Sequence, residues 1–455
     1  QGAEGSWVFT PLLQTQSVIE RLLDPRLRIS FEQHLDQAAI AQSEEAALHG
    51  NGHGQTAHGP SNGSSDAATA LLVLKSTVGG TLIVIPAAYK DAGLVSATLV
   101  MIFIAGIEIY CMALLVKCSQ KLGGGSYGQI VERCLGRSGL WAVDISLIAS
   151  QLGFVCTEML YVAKNLPGAL GAFKGSIPDA LILNTNQVLL GQMLLAVPMA
   201  WIRHLKYFSF TNFIANVVVL LALGFLLAFA CAGLAHDGVH EVDNFGPGWL
   251  IFAGTSVFSF ECINFVIPMY DAHEKKETFI PILTGTLWAV VVLFILFGGL
   301  NYMRYGADTA SPVTDNFAAS MSKDAPWGRV MQFSFAFASL LNIPLFLFPA
   351  SMAIEDKIFV SYNRGLRRKW LKNLSRTLLV FLCTAIAWIG RDHINALVAV
   401  IGSICCVPLA FVYPVISHYI LFRPSMTEAI FDACIGTLGI FLFVVTTYQA
   451  LKEWK

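Results

Sequence analysis

The sequence predicts an all-α integral membrane protein with 11 transmembrane helices: two inverted five-helix repeats and one further helix. Three observations carry this prediction. Hydrophobic residues make up 55% of the 455-residue chain and charged residues only 13%, where an ordinary soluble protein carries about a quarter charged residues. From Ala67 onward, apolar runs alternate with short polar breaks, and most of the runs reach the roughly 20 residues that a span requires. The first five runs and the next five occupy 168 and 176 positions. Five is odd, so the second set enters the membrane from the opposite side.

Such a composition excludes a soluble multidomain enzyme and a disordered or collagen-like chain. The formal net charge of −1 gives no footing for a nucleic-acid partner. Nearly all of the ten cysteines lie in or at the ends of apolar runs and read as buried thiols. No early segment has the apolar core of a signal peptide, so the first span is expected to direct insertion.

Taken in order, residues 1–66 form a cytoplasmic N-terminal tail that is expected to be largely disordered. Within it, Ser17 to Leu48 has amphipathic helical spacing, and Gly50 to Asp66 is a Gly, His, Ser and Asn tract with too little apolar surface to fold. The tail is either an inert linker or a regulatory segment that contacts the cytoplasmic cavity or sorts the protein. The first repeat, 67–234, holds helices 1 to 5 at 67–89, 92–117, 139–165, 186–202 and 207–234. The second, 247–422, holds helices 6 to 10 at 247–270, 279–303, 327–356, 374–390 and 393–421, and residues 426–455 supply helix 11 and the C-terminus. Ser126 to Gly136 reads as a surface helix. With the tail in the cytoplasm, Lys and Arg number 19 on that side against 9 on the other, or 16 against 9 without the tail. The positive-inside rule then places the N-terminus in the cytoplasm and the C-terminus outside or in a lumen.

Inverted repeats place a site at mid-membrane, where the first helix of each repeat is broken. Helix 1 carries Gly79 and Gly80 near the bilayer centre. An unwound segment there frees backbone N–H groups for an anion such as a carboxylate, although paired glycines also serve close helix packing. Helix 6 carries Phe258, Ser259, Phe260 and Glu261 at similar depth, with Pro268 beyond. A break there offers carbonyl oxygens to an ammonium group, and together the two breaks describe a site for a zwitterion.

The stretches LKSTVGGTLIVIPAAY, SYGQIVERCLG, GTSVFSFECINFVIPMYDAHEK, NIPLFLFPASMAIED and the region from Ser375 to Tyr419 resemble the amino acid/auxin permease family. That family is a branch of the amino acid, polyamine and organocation superfamily, and the likeness is closest to proton-coupled and vacuolar amino acid transporters. It runs from about Ala67 to the C-terminus. The resemblance implies a LeuT-like fold with discontinuous helices 1 and 6 and an amino acid substrate. The substrate carboxylate would meet N–H groups at Val78, Gly79, Gly80 and Thr81, and its amine the carbonyls around Phe258 to Phe260. Thr81 stands where the family usually has a second glycine, and Glu158 where it commonly has an aromatic or small polar residue.

Ionisable groups inside a membrane are costly and tend to face the bundle interior. Lys75, one turn before Gly79, stands where sodium-coupled relatives offer a neutral oxygen ligand, which argues against sodium. It also suits a brace to Glu108 or Glu261. Glu261, in a low-dielectric cavity, suits either the coupled proton or a structural hydrogen bond to the broken helix. Glu158 has three readings: contact with a basic substrate, the coupled proton, or a protonated interhelical contact. Glu108 reads as an interhelical partner, and Asn342, just before Pro344, either lines the cavity or bends helix 8.

Enzyme signatures are missing from the sequence: it has no phosphate loop, no HExxH and no nucleophile elbow. No metal or other cofactor is expected beyond a coupling proton. The sequons at Asn62 and Asn373 fall on the cytoplasmic side, so no glycan is expected. The expected function is proton-coupled symport of an amino acid by alternating access, in the plasma membrane or a vacuolar or lysosomal membrane. The alternative is an amino acid sensor that signals through the tail.

Overall fold

The computed structural model of the chain describes residues 64–171, 183–202, 206–321, 327–359 and 365–453. The expected features of residues 1–63, including the amphipathic segment and Asn62, lie outside the described residues. Among the described residues, nine helices are long and apolar enough to cross a membrane, and a bent pair at the start makes up to ten. The eleventh expected span, helix 4, is a run of two short pieces, Thr185–Gly191 and Met193–Ala200. Gln192 stays right-handed between them and keeps backbone bonds on both sides, to Val188 and from Ala196, each 2.9 Å. That run reaches about 24 Å at 1.5 Å per residue, short of a hydrocarbon core of about 30 Å.

Both expected discontinuities are present. Helix 1 is Asp66–Thr77, capped by the Ser65 hydroxyl. After a break at Val78 and Gly79 it resumes as the tight turn Gly80–Val84 and the α-helix Ile85–Ala92, with a bend of 45°. Pro86 sits in the first turn of the last piece, where its missing N–H costs nothing. Helix 6 is Trp249–Phe260, then non-helical Glu261 and Cys262, then Ile263–Ala272.

Gly93 joins helix 1 to helix 2, Leu94–Leu122. Its φ of +87° and a Cβ position only 2.7 Å from the backbone nitrogens of Phe245 and Gly246 leave room for glycine alone. The expected surface helix precedes helix 3 within Tyr127–Gly171, separated from it at Gly136, whose φ is 71°. Helix 7 is Phe279–Tyr305, helix 8 Trp327–Ile358 and helix 11 Met426–Glu453. Helix 9, Leu366–Gly390, starts eight residues before the expected 374. Its first turns hold Arg367, Arg368 and Lys369, which continue the helix beyond its apolar part. The short helix Thr314–Ser320 between helices 7 and 8 was not expected from its polar sequence.

Helix 10 runs from Ile394 to Phe422 and widens to π-turns at Gly402–Cys406 and Pro408–Val412. A Cβ at Gly402 would lie 2.1 Å from the Gly254 carbonyl oxygen, so helices 6 and 10 touch backbone to backbone. Helix 3 packs along helix 8 and against helix 9, and helix 4 packs on both 8 and 9, whereas helices 1, 2, 6 and 7 pack on one another. All ten cysteines are free thiols.

The ends of helices 1 and 6 on one face are tied together. Ser64 pairs with the backbone of Ala272 and Glu274 at 2.8 and 3.1 Å. The buried His273 ring bonds the Thr69 hydroxyl through Nδ1 at 2.8 Å and the Thr278 hydroxyl through Nε2 at 3.0 Å. Burial holds His273 below its ordinary value of 6.5, against a weaker upward pull from Asp66. A histidine with a depressed native pKa binds protons more readily when its surroundings open, so its contribution is complete above 6.5 and lost as pH falls below it. The protection of the Ser64 and Glu274 amides, taken against the exchange of an unstructured chain at the same pH, is therefore expected to fall on acidification below 6.5 and to lose that dependence in His273→Gln. Protection that stays constant with pH in the native chain would refute the link.

Candidate functional site

The two breaks face one cavity of about 180 Å³. Its lining includes Lys75, Val78, Gly79, Gly80 and Thr81 from helix 1, Glu158 from helix 3, Phe258, Ser259 and Glu261 from helix 6, and Asn342 from helix 8. The structure thus brings together ten of the residues singled out in the sequence. Phe260 is the exception: its buried ring stacks on Phe294 of helix 7, 5.1 Å between centroids, and stays out of the cavity. The resemblance implied that carbonyls around Phe258 to Phe260 meet the substrate amine, and the Phe260 side chain takes no part in the lining. One residue further around a helix is a rotation of about 100°, which sends Phe260 to the outer face.

Helix 1 offers hydrogen-bond donors to the cavity. The Val78 N–H is already bonded to the Leu74 carbonyl at 2.8 Å, so Val78 closes the first helix piece rather than donating as expected. The N–H groups of Gly79, Gly80 and Thr81 meet no acceptor among the described residues, as at the first turn of any helix. These unbonded donors at a helix start form a site suited to an anion. Gly79 is extended, with φ −149°. Gly80 lies against the ring of Tyr161, and a Cβ there would come within 2.9 Å of Tyr161 Cδ2.

Helix 6 offers acceptors. The helix ends at Phe260, and Glu261 turns to ψ 89°, so the carbonyls of the last turn have no following helical N–H. The Ser259 hydroxyl donates to the Thr255 carbonyl at 2.7 Å and is occupied. Phe258 packs on Phe154 at 4.8 Å, and Phe154 on Phe346 at 5.2 Å, which gives the cavity an aromatic wall from helices 3, 6 and 8. Phe154, Tyr161 and Phe346 were not singled out in the sequence, although a signal was there: Phe154 and Tyr161 lie one turn to either side of Glu158, and Phe346 one turn after Asn342, on the faces those polar residues mark.

Glu158 is 6% exposed. Its Oε1 accepts a hydrogen bond from Asn342 Nδ2 at 3.0 Å, so Asn342 lines the cavity, as one of its two readings required. The other oxygen, Oε2, meets no donor among the described residues. Glu261 lines the same cavity, and neither of its oxygens accepts a hydrogen bond among the described residues. The expected structural hydrogen bond of Glu261 to its own broken helix is therefore not made. Glu108 likewise takes no hydrogen bond from Lys75 or from any other described residue, and it lies outside the cavity. The described residues contain no cluster of metal-ligating side chains.

Leu72, Phe265, Pro268, Met269 and Pro349 extend the cavity toward the end at which helix 1 begins. The outer piece of helix 1, 82–92, and the first turns of helix 6, 249–257, add nothing to the lining among the described residues.

Comparison with known proteins fits this geometry. The family described as Transmembrane amino acid transporter protein matches residues 62–452. Vacuolar amino acid transporter 3 of Saccharomyces cerevisiae is 30% identical over 423 residues, 91% of this chain and 60% of that protein. Its namesake in Schizosaccharomyces pombe is 31% identical over 88% of this chain and 60% of its own length. The chain therefore spans about three-fifths of the length of these relatives. In fold it is similar to Mhp1 solved in its inward-facing conformation, a LeuT-fold protein, with a TM-score of 0.58, 12% identity and coverage of 88% of this chain and 95% of that one.

Proposed function

We propose, from the premise that this chain belongs to the transmembrane amino acid transporter family, that it is a proton-coupled amino acid symporter working by alternating access. One observation carries the reading. The free N–H groups of Gly79 to Thr81 and the open last turn of helix 6 face each other across one cavity, the polarity that a zwitterionic α-amino acid requires. Phe154, Phe258 and Phe346 then cover the substrate side chain.

Helices 1 and 6 move against the body of helices 3, 4, 8 and 9, and the tie through His273 opens and closes with them. The cavity opens toward the start of helix 1. With the N-terminus in the cytoplasm, as the distribution of Lys and Arg argues, this is an inward-facing arrangement. The names of the yeast relatives favour a vacuolar or lysosomal membrane. Lys75 supplies a fixed positive charge where a sodium ion would otherwise sit, and the coupling ion is a proton carried by the buried carboxyls.

Uptake into proteoliposomes tests the coupling. A pH gradient is expected to drive amino acid entry with or without sodium; entry that needs sodium and ignores the gradient would sink this half of the reading. Glu158→Gln is expected to change the substrate-charge preference or the pH optimum of uptake, because it removes the one carboxyl that bonds across the cavity to Asn342. If both profiles stay as in the native chain, Glu158 is only a brace between helices 3 and 8.

A further inference from the structure

Outside the cavity lining, on helix 2, stands a second buried carboxyl. Glu108 on helix 2 is 1% exposed and Glu261 6%, and no oxygen of either accepts a hydrogen bond among the described residues. Helix 2 packs directly on helix 6. Met112, one turn after Glu108, has its sulfur 3.7 Å from that of Cys262, the neighbour of Glu261. The contact between helices 2 and 6 therefore brings the neighbourhoods of Glu108 and Glu261 together.

The groups around the two carboxyls are weak acids. They are Cys262 on helix 6, Cys405 and Cys406 on helix 10, Cys111 on helix 2, and Tyr127. Beyond Cys111, Asp432 of helix 11 is bonded to His418 Nδ1 at 2.7 Å and to the Tyr110 hydroxyl at 3.3 Å. The cation that lines the cavity is Lys75. Its single charge offsets one ionised carboxylate, whereas Glu108, Glu158 and Glu261 present three.

We propose that Glu108 and Glu261 form a proton-holding pair, in which Glu261 exchanges a proton with the substrate cavity and Glu108 receives or returns it. Two neighbouring carboxylates buried in a low-dielectric surround repel strongly if both ionise, so the pair keeps a proton between them. The transfer is balanced: the O–H bond of one carboxylic acid breaks as that of the other forms, with no other reactant. This deepens the symport reading and rests on it for its role in transport, while the pair itself can be tested alone.

The test uses infrared absorption of the purified full chain, following the carboxylic-acid C=O stretch as pH is stepped, in the native protein, Glu108→Gln, Glu261→Gln and the double variant. A buried-acid band is expected near pH 7, where exposed carboxyls are ionised, and the double variant loses the part of it that the pair contributes, leaving at most the part that belongs to Glu158. In each single variant the surviving acid titrates about one pH unit or more away from its native midpoint. A band unchanged in the double variant, or survivors that titrate as in the native chain, would overturn the pair. Glu261→Gln reads the pair from the other side if Glu108→Gln folds poorly.

In proteoliposomes, one proton per substrate under a gradient of one pH unit gives about tenfold accumulation. Glu108→Gln is expected to lose that accumulation, and a variant that keeps it overturns the coupling role. A native chain that takes up no amino acid refutes the symport reading while the infrared result still decides the pair.

Discussion

Arg376→Ala is expected to cost about 3–5 kcal/mol of stability, the range for removing one partner of a buried ion pair. Arg376 is 2% exposed and Glu355 1%. Arg376 Nε meets Glu355 Oε1 at 2.6 Å, and Nη1 donates to the carbonyls of Ala200 and Ile202, each at 3.0 Å. Lys372 holds the second oxygen of Glu355 at 2.8 Å. One guanidinium therefore ties helix 9 to the end of helix 8 and caps the carbonyls that end helix 4. Alanine leaves a buried carboxylate short of one cation and two carbonyls without donors. Against a total stability of about 5–15 kcal/mol, a thermal melt should show a large fall in the detergent-solubilised protein. Arg376→Lys should fall between, because one ammonium keeps the charge without the planar fork that reaches all three acceptors. A melt of Arg376→Ala at the native temperature would mean that this buried cluster contributes nothing.

The second large effect separates two adjacent glycines. A Cβ at Gly80 would sit 2.9 and 3.1 Å from Tyr161 Cδ2 and Cε2, with Ser339 Oγ at 3.6 Å. Tyr161 is buried on helix 3, so its ring has no room to give way. A methyl at Gly80 must push helix 1 off helix 3 where the free N–H groups line the cavity. Overpacking of this kind costs about 1–3 kcal/mol, which is roughly tenfold or more in substrate affinity if it falls on the bound state. Gly79 has nothing within 4 Å of its Cβ position, and its extended backbone suits any residue. Gly79→Ala should therefore bind and transport as the native chain does. Substrate-induced thermal shifts of both variants check this, and Tyr161→Leu in the Gly80→Ala background should restore part of the loss. Equal losses in the two alanine variants would mean that glycine is needed at this break for backbone freedom and not for the approach of Tyr161.

Helices 1 and 6 show how far local sequence reaches. Gly79-Gly80 and the Phe258-Ser259-Phe260-Glu261 segment mark breaks that the structure places within a residue or two of their expected positions, because a helix in lipid must satisfy its own backbone and departs from that only where residues permit. Lys75, Glu108, Glu158 and Glu261 were legible as the costly residues for the same reason: a charge at that depth needs a protein surround.

The sequence by itself determined that the chain is a membrane bundle, where nearly all of its helices lie, and which two of them break. It also singled out the buried charges. Only the tertiary structure decided that Phe260 faces helix 7 and not the cavity, and that Phe154, Tyr161 and Phe346 close the site. It also decided that Arg376 caps helix 4, and that Glu108 is buried without a hydrogen bond among the described residues. Spans are written by local composition, because each segment pays its own transfer cost into lipid. A polar residue such as Glu158 or Asn342 marks the inward face of its own helix, but which apolar side chains then meet across the cavity is set only when the neighbouring helices pack together.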